Sequence, residues 1–549
     1  MAPTLDDLIG IEQRLDLHVA PQEREDYLQL LAATDAAAQE VLGMNDYLPP
    51  VDLERFPRTN VHVPPDTENE LRGWACKATV RGAQGGILEG RRVCLKDSIC
   101  LAGVPCRFGT AVFEGFVPET DATVVTRTLE AGAVIIGKAT CEDMSHGAGS
   151  FTSYNGPVQN PFAHGFSAGG SSSGCGALIG SGEVEMGLGG DQGGSIRIPA
   201  SLCGIVGLKA TFGLIPYTGV LSSEASLDHV GPMGRTVADV ARLLQAITGP
   251  DGIDDRQLGT PNVKSNPDYY AVCLPDSRGD ALSGVKIGVL QEGFASRHLT
   301  PDVEEVVKSA IKNFGALGAS VVDVSVSGHL RSGSLMHIIN KMGSSQARLG
   351  RANARRGLYI NDFYDELLPW SQEKWDKVHS FVKGTAISGE YAFVNCPSVY
   401  GRAVNIVRKL KDDYDAVFKE VDVIVMPTVP VTARRHPPKD AGPLMAVAKT
   451  GIYISRFPVC CRAFTDPREK NTAGLTDNTG IFNGTGHPAL TIPVGFGGPA
   501  PEDILQSSDK DIKLPIGMQI VGPWWGEALC LKVGAAWEAG WDWKTGCPR

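Results

Sequence analysis

The sequence predicts an α/β protein, a mixed sheet sandwiched by helices with a helical arm at its N-terminus. Three observations carry this. A strand–helix–strand pattern runs from residue 89 to 136 and recurs from 285 to 326. Apolar, strand-length segments return near the C-terminus. The first 45 residues instead carry helical spacing and lack strand alternation.

In the arm, Pro21 marks a helix start, and Tyr27, Leu30, Leu31, Thr34, Ala38 and Val41 follow at helical intervals. Residues 48–65 hold five prolines and no clear period, so they read as a linker, which divides the chain into an arm and linker (1–65) and a main body (66–549). The arm either wraps the core or pairs with a second copy. Val93-Cys94-Leu95 is a strand ending at Lys96, residues 121–131 a helix closed by Gly132, and Ala133–Ile136 a buried strand. Val285–Leu290 repeats the strand, Thr300-Pro301 opens a helix with Val303, Val306, Val307, Ala310, Ile311 and Phe314 on one face, and Ser320–Val326 returns as a strand. Val423–Met426, Ala489–Pro493 and Gly517–Val521 read as further strands, and most of 330–475 as covering helices and loops.

Composition narrows the function. A net charge of −11 without a basic patch argues against a nucleic-acid partner. No run of about 20 apolar residues is present to span a membrane. The acidic start Met1–Asp7 lacks a signal-peptide core. Thirteen scattered cysteines form no Cys-x-x-Cys pair, and the adjacent Cys460 and Cys461 have poor geometry for a mutual disulfide, so reduced thiols and a cytoplasmic location are expected.

The chemistry is concentrated in two glycine–serine clusters, Gly169-Gly170-Ser171-Ser172-Ser173-Gly174 and Gly189-Gly190-Asp191-Gln192-Gly193-Gly194-Ser195 continuing into Ile196-Arg197-Ile198-Pro199. The apolar segments Ala177–Ile179 and Val184–Met186 between them place both at turns on one edge of a sheet. A phosphate loop would need Lys-Ser/Thr where Cys175-Gly176 stands. A nucleophile elbow fits the letters of residues 170–174 but needs a preceding strand, and Asn160–Gly165 does not read as one. A glycine-rich surface turn without chemistry explains one such cluster better than two.

The remaining reading makes Ser195 a nucleophile, with Gly193 and Gly194 letting successive N–H groups converge as an oxyanion hole requires. A serine hydroxyl needs a base. His146, His164 and His229 lie nearest in sequence and read as polar loop or core residues. Lys96, ending an apolar strand, serves if burial holds it neutral; the alternative is a solvated surface charge. Ser309-Ala310-Ile311-Lys312 has the spacing of another serine–lysine class but falls on the polar face of its helix.

Together with Leu95-Lys96-Asp97, Cys203–Lys209, Asp228–Met233, Asn483–Ala489 and Leu514–Gly522, these clusters resemble the amidase signature hydrolases over nearly the whole chain. The resemblance implies a large mixed, mostly parallel central sheet covered by helices on both faces. It implies a Ser–cis-Ser–Lys triad in which Ser195 is the nucleophile, Ser171, after a cis peptide bond, relays the proton, and Lys96 is the base. It implies an oxyanion hole from the N–H groups of Gln192, Gly193, Gly194 and Ser195, a loop supported by Asp191 and Arg197, and no metal or organic cofactor. Cys141–His146 would line the pocket, with Met144 and Ser145 touching substrate. The sequence around Gln192 and the arm are most similar to the acylamidase branch, some of whose members cleave carbamates and whose arm helps form a homodimer.

The expected function is hydrolysis of a small carboxylic amide through an acyl-enzyme, with esters and carbamates open to the same attack. The alternatives are a carbamate (urethane) hydrolase and an amidotransferase A-type subunit. A non-enzymatic scaffold is disfavoured, because Lys96, Ser171 and Ser195 are all present. A useful Lys96 also requires Asp97 to point away from it, since a facing carboxylate would hold the ammonium charged.

Overall fold

The computed structural model describes residues 2–262, 266–274, 281–450, 474–545 and 547–548. Two compact units emerge, Met1–Pro50 and Val51–Arg549. In the first, α1 (Leu5–Leu15) starts at Thr4, whose hydroxyl and the Asp7 carboxylate cap each other's backbone N–H. Pro21 opens a single 3-10 turn that leads into α2 (Arg24–Leu42), none of whose residues is buried.

The second unit builds, in chain order, β1 (Thr59–His62), β2 (Trp74–Arg81), β3 (Arg92–Lys96), α3 (Thr123–Glu130), β4 (Val134–Ala139), β5 (Gln159–Asn160), β6 (Ala163–Ser167), α4 (Ser173–Gly180), β7 (Met186–Asp191), α5 (Arg197–Leu202), β8 (Val206–Lys209), β9 (His229–Gly234) and α6 (Val237–Ile247). It continues with β10 (Lys286–Leu290), α7 (Pro301–Ala316), β11 (Ser320–Val324), α8 (Ser332–Arg348), α9 (Asn361–Leu367), α10 (Gln372–Lys377), α11 (Ser380–Asn395), α12 (Val399–Val417), β12 (Val423–Pro427), α13 (Pro443–Thr450), α14 (Ile481–Thr485), β13 (Ala489–Gly497), β14 (Leu514–Val521), α15 (Glu527–Gly540), β15 (Trp541–Asp542) and β16 (Cys547–Pro548). Among the described residues no helix is long and apolar enough to cross a membrane.

Twelve strands form one sheet in the order β1-β2-β4-β3-β7-β9-β8-β13-β14-β12-β10-β11. The sheet is mixed, as expected, but not mostly parallel. Parallel pairing is confined to β4-β3-β7 and β12-β10-β11, where helical crossovers return the chain, and every other pair is antiparallel. The proline-rich 48–65 segment is not only a linker. It supplies β1, which pairs antiparallel with β2 at the sheet's edge, where missing partners on one side are tolerated. The residues before the first serine cluster, read as irregular, form the separate two-stranded ribbon β5–β6.

Side chains two apart share a face, and the sheet buries both faces. Val423 and Val425 of β12 join the core under α6, α7 and α15 with Val240, Val307, Phe314 and Leu531. Ile424 and Met426 pack on the other side with Met336 of α8 and Val407 and Tyr414 of α12. On β3, Val93 and Leu95 enter the first core, while Cys94 meets Cys175, Leu178 and Ala200 from α4 and α5. Period two therefore sends Lys96 to the α4–α5 face. In α7 the predicted apolar stripe is buried apart from Val306, which is half-buried, and Ser309 and Lys312 are exposed, so that pair has no enclosed site.

Candidate active site

β3 and β7 run parallel in the middle of the sheet with Leu95 opposite Leu188, so Lys96 reaches the level of Gly189–Gly190. The second glycine–serine cluster is therefore the carboxyl end of an interior strand and the turn after it, not a turn on a sheet edge. The first cluster leads into α4 directly above it. Lys96 is fully buried; its Nζ donates to Ser171 Oγ at 2.7 Å and to the Gly190 carbonyl at 3.2 Å. The Gly170–Ser171 peptide is cis. The neighbouring Ser172 is engaged differently. Its Oγ donates to the Gly190 carbonyl at 3.1 Å and accepts from the Gly190 N–H at 3.2 Å, while its own N–H donates to the Ser195 carbonyl at 3.2 Å. Ser172 thus ties the two clusters together, and that enclosed position removes it as an elbow nucleophile.

Burial pulls the Lys96 ammonium below the ordinary lysine range, a shift opposed in part by Cys141, Cys175, Asp191 and Asp228. Asp97 does point elsewhere. Its carboxylate accepts from the N–H groups of Arg107 and Gly109 and lies 3.4 Å from Lys138 Nζ.

The turn that carries Ser195 hangs on one buried ion pair. Asp191 accepts from Arg197 at Nε (3.0 Å) and Nη2 (2.9 Å), from the Gly194 N–H at 2.7 Å and from the Ile196 N–H at 3.1 Å. Arg197 extends its remaining N–H groups to the Thr479 carbonyl, Gln519 Oε1 and Asn483 Oδ1, so all five guanidinium donors have partners. Burial raises the Asp191 pKa, but Arg197, Asn483 and the backbone N–H outweigh it and hold the carboxylate well below its usual range. Gly194 has φ +133°, and a Cβ there would lie 2.4 Å from Thr479 Oγ1, so only glycine fits.

The expected four-donor oxyanion hole needs correction, because the Gly194 N–H is committed to Asp191. Among the described residues no acceptor meets the N–H groups of Gln192, Gly193 or Ser195, and these three residues line a cavity of about 80 Å³. Ser145, His146, Ser223, Met336, His337, Asn340, Lys341 and Thr476 line it too. Met144 does not; with φ +47° it turns into the cluster of Phe108, Phe113 and Cys141. A second hollow of about 610 Å³ shares Ser223 but contains none of Lys96, Ser171 or Ser195. His229 is buried against Lys209 and Asn483, and His164 lies on the surface near Glu70.

Sequence reasoning missed Thr479, Asn483 and Gln519 as site residues. Thr479 Oγ1 donates to the Gly193 carbonyl at 2.6 Å, and Asn483 Nδ2 to the Asp191 carbonyl at 2.8 Å. Only the presence of Asn483 and Gln519 in the family-like C-terminal segments could have signalled them; Thr479 carried no such signal.

A family model described as amidase matches residues 67–531. The chain belongs to the amidase signature family. The enantioselective amidase of Rhodococcus rhodochrous is 36% identical over 469 residues, which span 84% of this chain and 81% of that protein. The A-type subunit of the glutamyl-tRNA(Gln) amidotransferase of Cyanothece sp. is 33% identical over 85% of this chain and 87% of its own length. The crystal structure of the corresponding protein from Thermotoga maritima superimposes with a TM-score of 0.60 at 26% identity, covering 83% of this chain and 84% of that one. This member of the family is a hydrolase of amide C–N bonds, and its 12-stranded sheet is the family's fold.

Proposed function

We propose that this amidase hydrolyses small carboxylic amides through an acyl-enzyme formed on Ser195. The observation that supports it most is the 2.7 Å approach of Lys96 Nζ to Ser171 Oγ inside the fold, beside the turn that carries Ser195. In this reading neutral Lys96 takes the Ser171 proton as Ser171 takes that of Ser195, and Ser195 Oγ adds to the carbonyl carbon. The oxygen that becomes negative meets the N–H groups of Gln192, Gly193 and Ser195. The proton returns through Ser171 to the leaving nitrogen, the C–N bond breaks and the amine departs. Water then attacks the acyl-enzyme by the same proton route, releasing the acid and restoring the serine. Asp191 and Arg197 position the turn, and no metal or organic cofactor is called for.

Carbamates and esters meet the same nucleophile, and carbamate cleavage as the main activity is distinguished by the group left on the enzyme. Intact-mass spectrometry after incubation with amide and carbamate panels should show an acyl increment that maps to Ser195. No increment with any amide, or an increment elsewhere, overturns the reading. The likeness to the amidotransferase protein favours a second reading, in which the chain delivers ammonia within a larger assembly. Ammonia released from a simple amide by the purified chain alone decides against it. The arm is proposed to pair two copies of the chain, since α2 buries no residue and exposes Tyr27, Leu30, Val41 and Leu42. The buried free thiols of Cys94, Cys100, Cys106, Cys141, Cys175 and Cys203 favour a reducing, cytoplasmic setting; Cys460 and Cys461 lie outside the described residues.

A further inference from the structure

Lys341 is a buried lysine on the wall of the cavity that Ser195 lines, and the proposed mechanism does not use it. On α8, His337, Asn340 and Lys341 stand at i, i+3 and i+4 and line the same cavity as Ser195, Gln192 and Gly193. Lys341 is 6% exposed; its Nζ donates to Thr385 Oγ1 at 2.6 Å and lies 5.0 Å from the Phe381 ring centre. Among the described residues no carboxylate stands within ion-pair distance of it. The charge that acts on it most is the Arg348 cation. Arg348 and His337 share its helix, and His146 reaches Thr385 Oγ1 at 2.7 Å. Glu224 approaches α8 at Gly343 through its Oε2, while its Oε1 is held by Ser226 and Tyr400, and among the described residues it makes no ion pair with Lys341. His337 Nδ1 is buried without a partner.

A buried ammonium without a counter-ion is unfavourable, and removing it from water is offset only when an anion arrives. Burial, then the Arg348 charge, pulls the Lys341 pKa down to about 7, so an anionic ligand that binds here would bring a proton onto Lys341. Such a donor set on the wall of a small reaction cavity suits an anion carried by the substrate. In a primary amide the leaving group is ammonia, so the anion belongs to the acyl part.

We infer that the preferred substrates are half-amides of short dicarboxylic acids, whose free carboxylate pairs with Lys341 Nζ and hydrogen-bonds Asn340 and His337. This rests on the Ser195 reading. The test compares succinamate and glutaramate with 4-oxopentanamide and 5-oxohexanamide, in which a methyl ketone replaces the carboxylate. Near pH 6.5 the half-amides should be favoured by about tenfold or more in kcat/KM, mainly through KM. The preference should shrink towards about pH 9 as Lys341 loses its proton. Lys341→Met should bring the ratio to about one, and Lys341→Arg should keep a preference that no longer varies with pH. Equal or poorer use of the half-amides by the wild type, or an unchanged ratio in Lys341→Met, overturns the inference. Should Lys341→Met fail to fold, the wild-type pH dependence decides. Turnover of the ketoamides without a half-amide preference sinks this inference and leaves Ser195 standing. If no amide is turned over, the Ser195 reading falls, and calorimetric titration with succinate still decides the subsite. Binding that Lys341→Met or Lys341→Arg alters supports it, and no binding to the wild type overturns it.

Discussion

Ser171 and Ser172 are adjacent and equally buried, yet their hydroxyls meet different partners. Ser171 faces the Lys96 ammonium, whereas Ser172 bridges the backbone of Gly190. Ser171→Ala should therefore lower kcat by about 10²–10⁴, the range typical of a positioned proton-transfer group, with little change in the unfolding midpoint. Ser172→Ala should act chiefly on stability, by about 1–3 kcal/mol, because it leaves buried backbone groups of Gly190 short of a partner. Activity and urea melts measured side by side on both variants check this, and a larger kcat loss in Ser172→Ala would shift the relay by one residue. Lys96 supplies the pH dependence. Its pKa is lowered by burial, so the neutral base becomes available below the pH that frees an ordinary lysine, near 10.4. Activity should rise with pH through a single ionisation below that value and fade in acid. Lys96→Ala should lose both rate and ionisation, and Lys96→Arg should not restore them, as arginine keeps its proton. A Lys96→Ala enzyme with the wild-type profile would move the base elsewhere.

At the scale of elements, two distant pieces of chain converge on the start of α5. Arg197 starts this helix and, with Asn483 from α14, holds Asp191 at the end of β7, while Gln519 from β14 holds Arg197. Removing one partner of a buried pair strands the other charge. Arg197→Met should thus cost about 3–5 kcal/mol of stability, read as a lower urea midpoint. The sign with pH follows from Asp191, whose carboxylate is held below its usual range. The stabilisation is present above about pH 4, where the unfolded chain's aspartates are ionised, and is lost as pH falls towards the native value. The wild type should lose stability in acid where Arg197→Met has little left to lose. Equal midpoints at neutral pH would show that the turn does not depend on the pair.

At the scale of the molecule, the arm and the sheet are separable in sequence. The break after Pro50 leaves β1 paired with β2 in the second unit. A chain starting at Val51 should fold, keep amide hydrolysis and run as a monomer in light scattering, while the full chain runs as a dimer. A dimer from the shortened chain would move the interface off the arm. The sequence by itself determined the elements whose periodicity is strong, such as β3, α7 and β12, because local apolar spacing decides which face can be buried. It also determined the glycine–serine turns and Lys96 as a residue whose use requires burial. Tertiary structure decided the rest. Strand direction depends on how each connection returns across the sheet, so the antiparallel majority was not legible in single segments. Partner choice depends on groups far apart in the chain, so the support from Thr479 and Asn483 and the place of Lys341 on the cavity that Ser195 lines emerged only once α8, α14 and β7 were packed together.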